Sequence, residues 1–269
     1  MPTSDPIEEL VREIQASSKY RVMAPELVRR VAAQELAKGR SKKEALKAAR
    51  SKLHQIGGAY QEKPINYVQM MNQLQALPHQ LADPSVEEFC HQALLQHTST
   101  RERLPIIAEF FRQTLAEIGP IHSIFDVACG MTPLSLPWIA TTPDLQYFAC
   151  DIYSDLAAFI NAFFLHFAIN GQATICDLTT SIPAQPVQLA LVLKTIPCLE
   201  QLDKSIGIRL LEGLQAENIL VSFPAQSLGG RSKGMRQNYE AHFNELVRLK
   251  PWQIRKFEFS SEIAFLIQK

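Results

Sequence analysis

Two hydrophobic rhythms divide the chain. In its first part apolar residues return every three or four positions, as Ala45, Ala49, Leu53 and Ile56 do, the spacing that buries one face of a helix. Start and stop signals frame these segments. Asp5 is placed to cap a first helix, with Pro6 at its first position and Glu8 closing a capping box. A second helix is predicted from Pro25 to Gly39, and a third from the Ser41 cap, boxed by Glu44, to Gly57 and Gly58. Together they make a small all-helical module.

Beyond Pro78 and Pro84, which bracket a polar connection, the rhythm changes to short apolar runs. Five of them, in SIFDVACG, LQYFACD, ATICD, LALVLK and NILVSFP, are separated by helical stretches, which predicts a parallel sheet covered on both faces. The last two, WQIRKFEFS and EIAFLIQK, are separated by little more than Ser-Ser-Glu and predict a hairpin. The expected organisation is therefore an N-terminal helical domain over residues 1–80 and an α/β domain over 81–269. A doubly wound sheet that ends in an antiparallel hairpin is the plan of class I S-adenosylmethionine-dependent methyltransferases, a Rossmann-like fold.

With 269 residues and 46% apolar content, the chain has enough core for this plan. No apolar stretch approaches the roughly 18 residues of a membrane span. The longest, Ala157 to Ile169, is broken by Asn161 and His166 and reads as a buried helix. The opening MPTSDPIEEL is charged where a secretion signal is apolar, so a cytoplasmic protein is expected. Cys90, Cys129, Cys150, Cys176 and Cys198 form no C-x-x-C pair, and His91 and His97 lie six apart with no H-E-x-x-H, so no metal site is expected.

Charge sharpens the picture, because a net charge of zero conceals segregation. Lys19 to Lys52 holds 11 Lys and Arg against 3 Glu; Pro64 to Leu228 holds 6 against 15 acids; Gly229 to Lys256 holds 7 against 2. Two basic regions around an acidic middle fit a polyanion gripped from two sides. On the third helix Lys43, Lys47, Arg50 and His54 share a face with no interleaved acid, a spacing able to track phosphates, although an ordinary solvated face has the same pattern. The second region opens in SFPAQSLGGRSKGM, Ser222 to Met235, where glycines are mixed with Arg231 and Lys233.

Strand ends carry the candidate chemistry. Gly130 ends the first strand, Asp151 follows 21 residues later at the end of the second, and Asp177 ends the third. That separation matches an acid meeting ribose hydroxyls, and Asp177 is placed to accept from an adenine amino group. Helix caps would explain each acid singly. A nicotinamide dehydrogenase shares this geometry but uses G-x-G-x-x-G for a pyrophosphate; here Pro133 removes a donor from the turn, and S-adenosylmethionine has no phosphate to bind.

The segments SSKYR, KLHQIGGAY, HTSTRERL, FDVACGMTPL, LKTIPCLE and SFPAQSLGGRSKGM, in this order, resemble the aminoglycoside-resistance 16S rRNA (guanine-N7) methyltransferases over nearly the whole chain. The resemblance implies methyl transfer from S-adenosylmethionine to guanine N7 in the decoding site of the small ribosomal subunit, with aminoglycoside resistance as the outcome. It implies a cofactor site of Arg103, at the cofactor carboxylate, with Ala128, Gly130, Asp151, Ile152, Asp177, Leu178 and Lys194. It implies an rRNA surface of Lys19, Arg21, Lys47, Arg50 and His54 on the helical module and of Arg231, Lys233 and Met235 near the second basic region; by its chemistry Met235 suits an apolar prop for displaced RNA or an ordinary buried position. The expected partner is 16S rRNA in the assembled 30S subunit, met by a monomer, with neither DNA nor membrane involved. Departures exist: the family's Gly-Leu-Asn-Pro reads Gly130-Met131-Thr132-Pro133, and Thr195 replaces an aliphatic residue after Lys194.

Guanine N7 carries a free lone pair, so the reaction calls for no base, and no catalytic acid or base is expected. Two rivals remain: methylation of adenine N1 or of a small molecule, and an RNA-binding protein of the same fold without catalysis.

Overall fold

The computed structural model describes residues 5–58, 64–225 and 234–269. Its N-terminal helices follow their caps. Helix α1 (Pro6–Gln15) begins where the Asp5 side chain accepts from the Ile7 N–H, but Glu8 pairs with Arg29. A single turn, α2 (Ser18–Arg21), precedes α3 (Pro25–Leu36). Four residues are too few to show a helical period, which is why α2 has no sequence signal. In α4 (Lys42–Leu53) both bonds of the Ser41 and Glu44 capping box form, and the helix runs into a π-turn over His54–Gly58. Ala45, Ala49, Leu53 and Ile56 are all buried, as their spacing predicts.

Four helices lead to the sheet: α5 (Tyr67–Gln75), α6 (Pro84–Leu94), α7 (Thr98–Arg103) and α8 (Ile107–Leu115). All seven expected strands form: β1 (Ile121–Val127), β2 (Thr141–Asp151), β3 (Asn170–Ile175), β4 (Val187–Leu193), β5 (Ala216–Pro224), β6 (Gln253–Glu258) and β7 (Glu262–Gln268). Their order is β3-β2-β1-β4-β5-β7-β6, parallel through β5, with β7 antiparallel to both its neighbours. The order reverses direction between β1 and β4, so a crevice opens at their carboxyl ends.

The connections differ from expectation in two places. Helix α9 (Ser154–His166) joins β2 to β3, α10 (Ile196–Leu199) and α11 (Ile206–Gly213) join β4 to β5, and α12 (Met235–Val247) precedes β6. Between β1 and β2 there is only a 3-10 segment, Thr132–Trp138, and between β3 and β4 no helix at all. Prolines explain both: Pro133 and Pro137 lie in the first, Pro183 and Pro186 in the second, and each withholds the N–H that an α-helix needs.

One core packs α1, α3, α4, α5 and α9 together with one face of the sheet, through Leu10, Val28, Ala49, Tyr67 and Phe159 among others. A second core packs α11 and α12 against the opposite face through Leu210, Phe243, Val221 and Phe265. Charged side chains stand along the β6 edge, where Arg255 and Lys256 discourage pairing with another strand. Among the described residues no helix is long and apolar enough to cross a membrane.

Candidate cofactor cleft and nucleic-acid interface

The crevice at the strand ends is a cleft lined in part by Ala128, Asp151, Ile152, Asp177, Leu178 and Lys194. Ala128 and Lys194, at the ends of β1 and β4, both adopt left-handed backbone conformations, with φ of 50° and 58°. Non-glycine residues rarely do so, and such strain gathers at ligand sites.

Asp151 is the electrostatic centre. Its Oδ2 accepts from the Gly130 N–H at 2.9 Å and its Oδ1 from the Ile152 N–H at 2.7 Å. Burial pushes its carboxyl up, while the N–H groups of Gly130, Ile152 and Tyr153 oppose that shift. Gly130 itself has φ +50°, and a Cβ there would come within 2.9 Å of His97 Cε1. It lies behind the lining and shapes the turn. Tyr153 lines the cleft, and its hydroxyl is buried, without a hydrogen-bond partner among the described residues. A buried acid, an unused hydroxyl and an adjoining apolar wall fit a nucleoside better than a phosphate.

Arg103 does not line the cleft. It is buried and donates from Nε and Nη2 to Glu262, at 2.7 Å for Nη2, with its guanidinium over the Phe110 ring. Lys194 joins this group, donating to Glu102 at 2.8 Å and lying 3.5 Å from Glu262. Burial works against charge on Glu262, but Arg103 and Lys194 hold its carboxyl below the usual range.

Several lining residues were not among the expected site residues. Leu27, Ile56 and Gly57 come from the helical module, and His97 and Ser99 from the start of α7. His97 heads the HTSTRERL segment, which was the available pointer. Thr195 lines the cleft too, its hydroxyl donating to Val127 O and Leu193 O, so the substituted residue is satisfied locally. Thr132 is buried at the start of the 3-10 segment. Cys176 and Cys198 also border the cleft, and the Cys198 thiol donates to Lys194 O.

Burial, with Lys194, Arg103 and Arg101 nearby, lowers the His97 pKa to about 4. Unfolded, this imidazole takes its proton near pH 6.5. Acid between those values therefore favours the unfolded chain, and stability falls as pH drops through that window. His97→Gln is expected to make this fall shallower in urea titrations at pH 7, 6 and 5; an unchanged pH dependence would refute it.

The helical module sorts its cations. Arg29 pairs with Asp5 and Glu8, Lys42 with Glu9 and Glu13, and Lys38, Arg40 and Lys52 surround the buried Glu35. Among the described residues Lys19, Arg21, Lys43, Lys47 and Arg50 have no acidic partner. Lys19 Nζ meets His54 Nδ1 at 2.9 Å, and Arg50 Nη2 donates to Glu13 O. Burial, followed by the Lys19 charge, lowers the His54 pKa. Met235, half-buried, opens α12; Arg231 and Lys233 lie outside the described residues.

Residues 16–267 match the family described as ribosomal RNA methyltransferase (FmrO). The chain belongs to that family. A 16S rRNA (guanine(1405)-N(7))-methyltransferase of Micromonospora echinospora is 34% identical over 100% of both chains. Another of the same name, from Serratia marcescens, is 32% identical over 98% of both. The crystal structure of 16S rRNA methyltransferase RmtF in complex with S-adenosyl-L-homocysteine superposes with a TM-score of 0.84 at 30% identity, covering 99% of each chain. For this ribosomal RNA methyltransferase family member, the strand-end cleft is therefore the place to seek the cofactor.

Proposed function

We propose that the chain transfers a methyl group from S-adenosylmethionine to N7 of guanine 1405 of 16S rRNA, giving aminoglycoside resistance. The observation that carries this reading is the cleft around Asp151 at the switch point of the sheet, in a member of this family. The relatives from Micromonospora echinospora and Serratia marcescens, which bear that activity in their names, support it. When bound, the cofactor supplies an electrophilic methyl on a sulfonium.

Residue roles follow from chemistry. Asp151 is assigned to the ribose hydroxyls and Asp177 to the adenine amino group. Ala128, Ile152, Leu178 and Lys194 line the surrounding walls, with Gly130 shaping the turn behind them, and the cofactor carboxylate is assigned to Arg103, beside Lys194. Because N7 has its own lone pair, the protein's task is alignment at roughly 3 to 3.5 Å and exclusion of water. A neutral His97 suits a site that must hold a sulfonium.

N7 lies on the major-groove edge, which side chains cannot reach in A-form RNA, so the target nucleotide is flipped out at a cost of a few kcal/mol. Phosphate contacts offset that cost. We assign them to Lys19, Arg21, Lys47, Arg50 and His54 on the module and to Arg231 and Lys233, with Met235 as an apolar prop. The assembled 30S subunit, met by a monomer in the cytoplasm, is the proposed substrate.

The test is transfer of tritiated methyl from S-adenosylmethionine to purified small subunits, followed by borohydride and aniline, which cleave at 7-methylguanosine. One cut, at guanine 1405, is expected. Incorporation without a cut would replace N7 by another atom, such as adenine N1, and binding without incorporation would leave an RNA-binding protein. On the RNA side, Lys47→Ala is expected to weaken subunit binding and to lower the slope of log affinity against log salt by about one. Arg112→Ala, at an exposed position of α8, is the control; equal effects of the two would remove Lys47 from the interface.

A further inference from the structure

We propose that Arg30, on α3 of the helical module, is a positioning residue for Asp177 and so sets the selectivity of the cleft for an adenine base. The proposal rests on the reading that Asp177 accepts from the adenine amino group. Asp177 lies in the helix-free connection after β3, where no regular backbone pairing fixes a side chain. Its orientation comes from the groups around it. Oδ1 accepts from the Thr179 N–H at 3.0 Å and the Thr179 hydroxyl at 2.6 Å. Oδ2 accepts from Arg30 Nε at 3.2 Å and Nη2 at 2.7 Å, and the same Nη2 donates to the Thr179 hydroxyl. The Asp177 side chain is 7% exposed and that of Arg30 25%, so the pair is largely shielded from solvent.

Arg30 reaches this position because α3 is stitched to the cleft at its start. Ala24 donates from its N–H to Ile152 O at 2.7 Å, Ser154 donates to Val22 O at 2.8 Å, and Met23 forms a β-bridge with Tyr153. These bonds tie the chain ahead of α3 to the loop that follows Asp151. From there Leu27 faces the cleft and Arg30 falls three positions later on an adjacent part of the helix surface. A guanidinium suits the task, since its fixed fork addresses one carboxylate oxygen and the neighbouring hydroxyl together; an ammonium lacks that planarity. The helical module thus supplies a wall of the cleft and also the side chain that aims the acid of its base subsite.

Base selectivity separates aiming from scaffolding. Calorimetry would compare S-adenosylhomocysteine with S-inosylhomocysteine, whose base presents a carbonyl where adenine presents its amino group. The wild-type protein is expected to prefer the adenosyl form by roughly ten- to hundredfold, the size of a hydrogen bond to a charged group. In Arg30→Ala that ratio is expected to fall at least several-fold, mainly through loss of adenosyl affinity, with Arg30→Lys in between. A ratio unchanged in both Arg30 variants, with the two ligands weakened equally, would reduce Arg30 to a scaffold contact and overturn the inference. Asp177→Ala tests the underlying reading. If it leaves the ratio unchanged, the assignment of Asp177 fails first; if it abolishes the ratio while the Arg30 variants keep it, Arg30 alone is excluded. Circular dichroism of each variant reports folding, and Arg30→Lys keeps the comparison available if Arg30→Ala does not fold.

Discussion

Replacing Glu262 with glutamine is expected to destabilise the fold by about 3 to 5 kcal/mol, because it leaves the buried Arg103 guanidinium without its anion. Glu262 is the first residue of β7 and fully buried. Its carboxylate accepts from Arg103 Nε and Nη2 and from the Ser222 hydroxyl at 2.5 Å, with Lys194 Nζ at 3.5 Å. Lys194 keeps a second partner in Glu102, whereas the Arg103 guanidinium, 1% exposed, has no other carboxylate among its described contacts. Uncompensated charge in a low-dielectric interior is the costly outcome. Urea denaturation at pH 7 measures it, and adding Arg103→Leu to Glu262→Gln is expected to recover part of the loss. A loss below about 1 kcal/mol would mean that water reaches this group.

Asp151→Asn is expected to weaken S-adenosylhomocysteine binding by more than about a hundredfold, the combined effect of two charge-assisted hydrogen bonds. The proposed ribose contact needs a carboxylate that is already oriented, and here both oxygens are held by backbone N–H groups, Gly130 on one and Ile152 on the other. An amide nitrogen in place of either oxygen would face a donor with a donor. The substitution therefore removes the charge and loosens the Gly130 turn at once. Calorimetry reads the effect directly, and a loss under tenfold would transfer the ribose contact to another residue.

The fold was legible wherever a local pattern carried it. The Ser41 and Glu44 box, the inward face of α4 and all seven strands follow from spacing and caps that neighbouring residues settle among themselves. Connections were less legible: the helix-free crossing after β3 reflects Pro183 and Pro186, whose effect was masked by the alternation on either side. Of the eight expected cofactor residues, the cleft gathers Ala128, Asp151, Ile152, Asp177, Leu178 and Lys194, which share one physical cause. Parallel strands deliver their carboxyl ends to one edge, so residues far apart in sequence meet there. Arg103 was placed by resemblance at the cofactor, and its buried bond to Glu262, 159 residues away, has no local trace.

The sequence by itself determined the two rhythms, the sheet with its terminal hairpin, the strand-end acids and the segregation of charge, because each is written in residue spacing. Only the tertiary structure decided which cations are neutralised by acids of other helices, that the helical module lends Leu27, Ile56 and Gly57 to the cleft, and that Arg30 meets Asp177. Those outcomes depend on long-range packing and on the cost of burying an unpaired charge, and neither has a period that a sequence can display.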